Sequence, residues 1–228
     1  MANRADLRTQ ISRELRDPDN KSWSAQEIND LINAGINAVS DLSPLERRED
    51  ITYTFPYTTT EGAWGKIKEV TPTTHFFNVF RVEILDKDSK LFETIDANNG
   101  QGSSTGWEMW NGKILLPENY FYPTEKVTIS GSEYERVKIR VFGYARHDLL
   151  TNDVTESTCD DQELVGVRAY AVAEAMTRLM VDRANFQQWQ VVSGATNITI
   201  TELSVLSNTA RLRWREEQRR LRKMRRLG

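Results

Sequence analysis

Nine cations crowd the stretch from residue 211 to residue 226: Arg211, Arg213, Arg215, Arg219, Arg220, Arg222, Lys223, Arg225 and Arg226, opposed only by Glu216 and Glu217. Eight of the nine are arginine, whose planar guanidinium suits forked pairing to carboxylates or phosphates. The chemistry this implies is capture of an anion. Residues 211–228 sum to +7, so with the whole chain at −3 residues 1–210 sum to −10. An acidic body carrying a basic tail predicts that the tail meets another copy of the body, a different protein or nucleic acid.

Residues suited to catalysis are few. His75 and His147 are the only histidines; they fall in different strand regions, and neither has a third partner at a recognisable spacing. Cys159, the single cysteine, lies in an acidic loop, which raises a thiol pKa and blunts it as a nucleophile. Asp160, Asp161 and Glu163 have the character of cation ligands, yet capping of a helix accounts for them. The run Asn98-Asn99-Gly100-Gln101-Gly102-Ser103-Ser104-Thr105-Gly106 lacks the Gly-Lys-Ser/Thr of a phosphate loop and leads toward a strand. We expect no enzyme, no cofactor and no metal.

Three kinds of segment must position the cations. Leu7, Ile11 and Leu15 recur every four residues as one helical stripe, broken at Asp17-Pro18-Asp19-Asn20. Ser24 and Glu27 have the spacing of a capping box, with Trp23 and Ile28 as a hydrophobic staple. Ile28, Leu31, Ile32, Ile36, Val39 and Leu42 continue that second helix to Ser43-Pro44. Its outer positions, Asn29, Asp30, Asn33 and Asn37, include no arginine, which argues against a DNA recognition helix.

From Ile51 to Phe142 the period falls to two, predicting about seven short antiparallel strands. The hairpins are 79–84 with 91–95, and 107–110 with 113–116 around Asn111-Gly112, a pair suited to a type I′ turn. A helix capped at Asp160 should run to about Gln190. Its stripe of Leu164, Val167, Ala171, Ala175 and Leu179, widened by Val172, Met176 and Met180, is broad enough for the N-terminal hairpin on one side and a neighbouring subunit on the other. Residues 197–201 read as an extended linker or edge strand. A last helix should run from about Glu202 to Leu227, with Leu203, Leu206, Ala210, Trp214, Leu221 and Met224 on its apolar face.

The segment Leu7-Arg8-Thr9-Gln10-Ile11, Leu15-Arg16-Asp17, Trp23-Ser24, Glu27-Ile28 and Leu31-Ile32-Asn33-Ala34-Gly35-Ile36 resembles the N-terminus of head-to-tail connector (adaptor) proteins of tailed bacteriophages. The likeness is close over the first forty or so residues and looser over the C-terminal helices; the centre agrees only in being a β-rich insertion. It implies a virion protein of the head-to-tail interface, assembled in the host cytoplasm. It also implies a homo-oligomeric ring, usually of twelve, placed between the portal protein and a downstream tail or second connector protein. DNA would pass through its channel without sequence-specific binding. On this reading Ala210, Arg211, Arg213, Trp214, Arg215, Arg219, Arg220, Leu221, Arg222, Lys223, Met224, Arg225 and Arg226 dock on the portal, with Trp214 and Leu221 as apolar anchors. Deleting 211–228 should then leave a folded protein that no longer joins the portal. The competing reading is a DNA-binding or packaging-associated protein using the same arginines on phosphates.

Length and composition agree with an α+β fold: a helical hairpin over 1–48, an inserted antiparallel β-domain over 49–148, a helix and linker over 149–201, and a basic helix over 202–228. Six tryptophans and eight phenylalanines give buriable area that a disordered chain lacks. No run approaches the roughly 20 apolar residues of a membrane span.

Overall fold

The computed structural model describes residues 2–56, 69–97, 106–117 and 125–227, and only the backbone of Phe55, Pro56, Arg183, Ala184 and residues 224–227. The glycine-rich run through Thr105 lies outside the described residues. The protein is mixed α+β and divides into two compact units, residues 1–45 with 146–228, and residues 46–145. Among the described residues no helix is long and apolar enough to cross a membrane.

The helical unit opens with α1 (Arg4–Glu14), capped by Asn3, whose side chain accepts from the Asp6 amide. Leu7, Ile11 and Leu15 are buried as their spacing predicts. The helix ends at Leu15, with Arg16 left-handed at φ 56°, before Pro18 could break it. The turn is held by Asp17, fully buried, whose carboxylate accepts from the amides of Lys21 and Ser22 at 2.8 Å and Trp23 at 2.9 Å. Helix α2 (Ala25–Ser40) starts at the expected Ser24–Glu27 box and buries Ile28, Leu31, Ile32, Ile36 and Val39, with Leu42 packed at the edge. A Cβ on Gly35 would stand 2.9 Å from the Val167 carbonyl oxygen, so only glycine lets α2 approach α3 this closely.

Helix α3 (Asp161–Val181) begins with a reciprocal Asp160–Glu163 box but stops well short of Gln190. Asp182 leaves the helical region, and its carboxylate accepts from the Asn185 amide, capping a separate α4 (Arg183–Val192). Aspartate's preference for helix starts over interiors explains the break. Trp189 of α4 is buried, its indole Nε1 donating to the Leu15 carbonyl at 2.8 Å. The α3 stripe is buried through Leu179, but Met180 is 40% exposed. The second side of α3 is covered by the last helix of the same chain, α5 (Ile200–Leu227), where a neighbouring subunit was expected. Residues 197–201 form no strand: Thr199 and Glu202 exchange capping bonds, and α5 starts at Ile200.

The second unit holds eight strands among the described residues. One sheet runs β1 (Leu45–Pro56), β8 (Ser132–Ala145), β3 (Phe76–Leu85), β4 (Leu91–Ile95), with β7 (Glu125–Ile129) also paired to β8. A second is ordered β2 (Glu69–Val70), β6 (Lys113–Leu115), β5 (Glu108–Trp110). The predicted hairpins form: β3 pairs antiparallel with β4, and β5 with β6 across Asn111 and Gly112 at φ 49° and 75°. Ser130-Gly131, with φ 50° and 83°, closes a third between β7 and β8. Val82, Ile84, Val137, Ile139 and Val141 of the larger sheet share one core with Val70, Trp107 and Ile114.

Strand β1 starts six residues earlier than the alternation suggests, because its first half is charged. Asp50 takes a two-pronged bond from Arg140 at 2.7 and 2.9 Å. Glu49 accepts from the Thr73 and Thr74 amides, which outweigh its partial burial and lower its pKa.

Candidate functional site

The cations of α5 are sorted by the helix itself. Leu203 and Leu221 are fully buried, and Ala210 and Trp214 pack against the same core. Gly166 of α3 makes room: a Cβ there would meet Leu221 Cδ1 at 3.1 Å and Val39 Cγ2 at 3.2 Å. Trp214 stands edge-on to Tyr170 at 5.4 Å between centroids. The inward row therefore runs Leu203, Ser207, Ala210, Trp214, Leu221, with Ser207 buried where Leu206 was expected and Leu206 turned outward. Three- and four-residue steps from Leu203 fit Ser207 and Ala210 in line with Trp214, whereas Leu206 falls to the side.

Leu221 is thus fully buried, and Ala210 and Trp214, partly buried, pack against the same core, so these three members of the expected docking set, two of them the expected apolar anchors, are engaged within the chain. Part of the arginine set is also occupied at home. Arg213 pairs with Glu14 of α1 at 2.8 Å, and Arg211 donates to Thr177 Oγ1 at 3.2 Å. Arg220 bonds Glu217 at 2.7 Å and the side chain and carbonyl of Gln162. Arg215, Arg219, Arg222 and Lys223 are exposed and make no hydrogen bond or ion pair among the described residues. Met224, Arg225 and Arg226 lie on the helical backbone, with side chains outside the described residues.

Val205 and Leu212, seven residues apart and 61% and 56% exposed, share the face that carries Arg219 and Lys223, with Arg215 and Arg222 along its flank. The result is an outward stripe of two apolar side chains followed by four cations, over a helix whose opposite face is locked into a core. Chemically it can grip a surface that is acidic, or rich in phosphate, beside an apolar patch. Val205 and Leu212 were absent from the sequence-derived site; their signal was the heptad spacing, masked by the stronger inward row.

A second constellation corrects the reading of the histidines. His147 lies in the segment after β8, buried in the helical unit, while His75 is exposed in the other unit. His147 does have partners: one ligand-capable atom each from His147, Cys159 and Glu163 lies within 4.8 Å of the others, and all three residues are buried. Its Nε2 is 3.0 Å from the Ser43 carbonyl and 3.5 Å from Glu163 Oε1; Nδ1 is 3.3 Å from Thr158 Oγ1. Burial alone would lower the His147 pKa, but the thiol of Cys159 and the carboxylate of Glu163 outweigh it and raise the value to about 10. Burial likewise pushes Glu163 upward, and His147, the Ser43 hydroxyl and the Asp160 amide reverse it, leaving its pKa lowered. The spacings of twelve and four residues match no short motif, so only the fold could bring this trio together.

The segment bearing His147 and Cys159 is itself tethered. Asp153 takes bonds from Arg4 and Arg8 of α1, which hold its carboxyl down to about 2. Asn33 of α2 bonds both the amide and the carbonyl of Leu150. In comparisons with known proteins, no family model and no curated protein matches this chain.

Proposed function

We propose that this chain is a structural adaptor of a tailed-phage virion, a ring-forming protein between portal and tail that extends the DNA channel after packaging. The observation that carries the reading is the outward stripe of α5: Val205, Leu212, Arg215, Arg219, Arg222 and Lys223 form an amphipathic, cationic docking face on a helix anchored from behind. The likeness of the N-terminal hairpin to phage connectors supplies the identity of the partner, the portal protein. The sum of −10 over residues 1–210 suits a conduit, since negative walls do not retain DNA.

The docking set is narrower than the basic tail as a whole. Removing 211–228 would delete Trp214 and Leu221 from the core, so truncation would unfold what it was meant to test. Charge reversal of the outward set (Arg215→Glu, Arg219→Glu, Arg222→Glu) leaves the core intact. Native mass spectrometry of the portal complex should show about one adaptor per portal subunit for the natural chain and none for the reversed one. Unchanged attachment of the reversed chain rejects this role for α5.

The same forked arginines favour a second reading, phosphate binding on DNA. Salt separates the two: contact with six phosphates loses about 10³-fold in affinity between about 50 and 200 mM salt, whereas docking that also buries Val205 and Leu212 holds better.

A further inference from the structure

We propose that His147, Cys159 and Glu163 form a binding site for a soft divalent cation, with Zn²⁺ the ion that fits best. The donor set is one imidazole nitrogen, one sulfur and one carboxylate oxygen, the three ligand types zinc takes in proteins. These groups come from the segment between β8 and α3 and from the first turn of α3, and the fold brings them within 4.8 Å of one another in a buried place. The 3.5 Å from His147 Nε2 to Glu163 Oε1 exceeds the usual range of about 2.7–3.2 Å for an N–H···O bond. Donors held at about 2.0–2.3 Å from one ion stand roughly 3.3–3.8 Å apart; the His147–Glu163 pair already has that spacing, and a set spanning up to 4.8 Å closes by about 1 Å on binding.

The surroundings orient each ligand as outer groups do in metal sites. Nδ1 faces Thr158 Oγ1 at 3.3 Å and Nε2 faces the Ser43 carbonyl at 3.0 Å, so Nε2 gives up that bond when it takes the ion. The Asp160 amide holds Glu163 Oε2 at 2.8 Å, and the Ser43 hydroxyl donates to Oε1 at 2.6 Å. The His147 amide is fixed by Ser40 Oγ and the Cys159 amide by Ser157 Oγ. A fourth position is left for water or for the Ser43 carbonyl oxygen once it has parted from Nε2. Binding takes sulfur as thiolate and His147 as neutral imidazole, so whatever protons the two carry are released to solvent as the cation's bonds to sulfur, nitrogen and oxygen form. The bound ion would join the end of α2, the tethered segment and the start of α3 at one point.

The test uses the full chain, stripped with a chelator and titrated with Co²⁺ under reducing conditions. Cys159 is the single cysteine, so a thiolate-to-cobalt charge-transfer band reports this site without any substitution. The band should saturate near one ion per chain, accompanied by visible bands of tetrahedral intensity, and Zn²⁺ should displace it. Zn²⁺ should also raise the unfolding temperature of the natural chain and leave that of Cys159→Ala unmoved. No charge-transfer band, or cobalt uptake that saturates without one, overturns the proposal and leaves the trio a hydrogen-bonded junction only.

Discussion

The N-terminal hairpin and the outward face of α5 use their polar residues in opposite ways. In the hairpin nearly every distinctive side chain is consumed by folding: Asp17 gathers three amides, Ser24 and Glu27 cap one another, Asn33 clasps Leu150, and Gly35 admits α3. On α5, four cations and two apolar residues are left without work inside the chain. The hairpin residues on which a likeness to phage connectors was expected are therefore those that build the fold, while those proposed to meet a partner lie elsewhere. Likeness in the hairpin speaks for architecture, and the partner must be argued from the helix.

Substitutions at the two regions should separate stability from attachment. The largest loss of stability is expected at the inward row of α5: Leu221→Ala should cost about 2–5 kcal/mol, read as a shift of the urea midpoint. Asp17→Ala should follow at about 1–3 kcal/mol, the cost of leaving the buried Trp23 amide without its acceptor; the same urea titration measures it.

A pH series tests the tether. The folded pKa of Asp153 is lowered to about 2 from 3.8, so its contribution is present above pH 3.8 and fades as pH falls through 2. The gap in unfolding temperature between the natural chain and Asp153→Asn should be constant above pH 5 and narrow steadily below pH 4. The smallest effects on stability belong to the outward stripe: Leu212→Ala and Arg219→Ala should each stay within about 0.5 kcal/mol. Both should nonetheless weaken portal attachment in a pull-down titration, and Leu212→Ala should do so at every salt concentration tried. Were Arg219→Ala to cost as much stability as Leu221→Ala, the division of α5 into a core face and a docking face would be lost.

What could be read from the sequence was local. The Ser24–Glu27 and Asp160–Glu163 boxes and the Asn111-Gly112 turn each close within four residues, and side-chain type alone specifies them. The charged half of β1 escaped because its support, Arg140 and the amides of Thr73 and Thr74, is distant in the chain. At Thr199 the box was present, but β-branched neighbours suggested a strand. The cation cluster was visible as composition; which arginines are free depended on Glu14, Thr177 and Gln162, and so on tertiary packing. The His147–Cys159–Glu163 junction had no sequence signature.

The insertion of residues 46–145 between two parts of one helical core has a consequence for synthesis. α1 and α2 leave the ribosome well before α3 and α5, which must cover them. At about 5–20 residues per second, the roughly 140 residues from the end of α2 to the end of α3 keep Leu31, Ile32 and Ile36 waiting for about 7–28 s. The β-unit, whose pairings lie within its own segment, can fold in that interval. The helical unit closes only when α5 arrives, so the outward stripe of Val205, Leu212 and the cations becomes a rigid surface in the same step that completes the core.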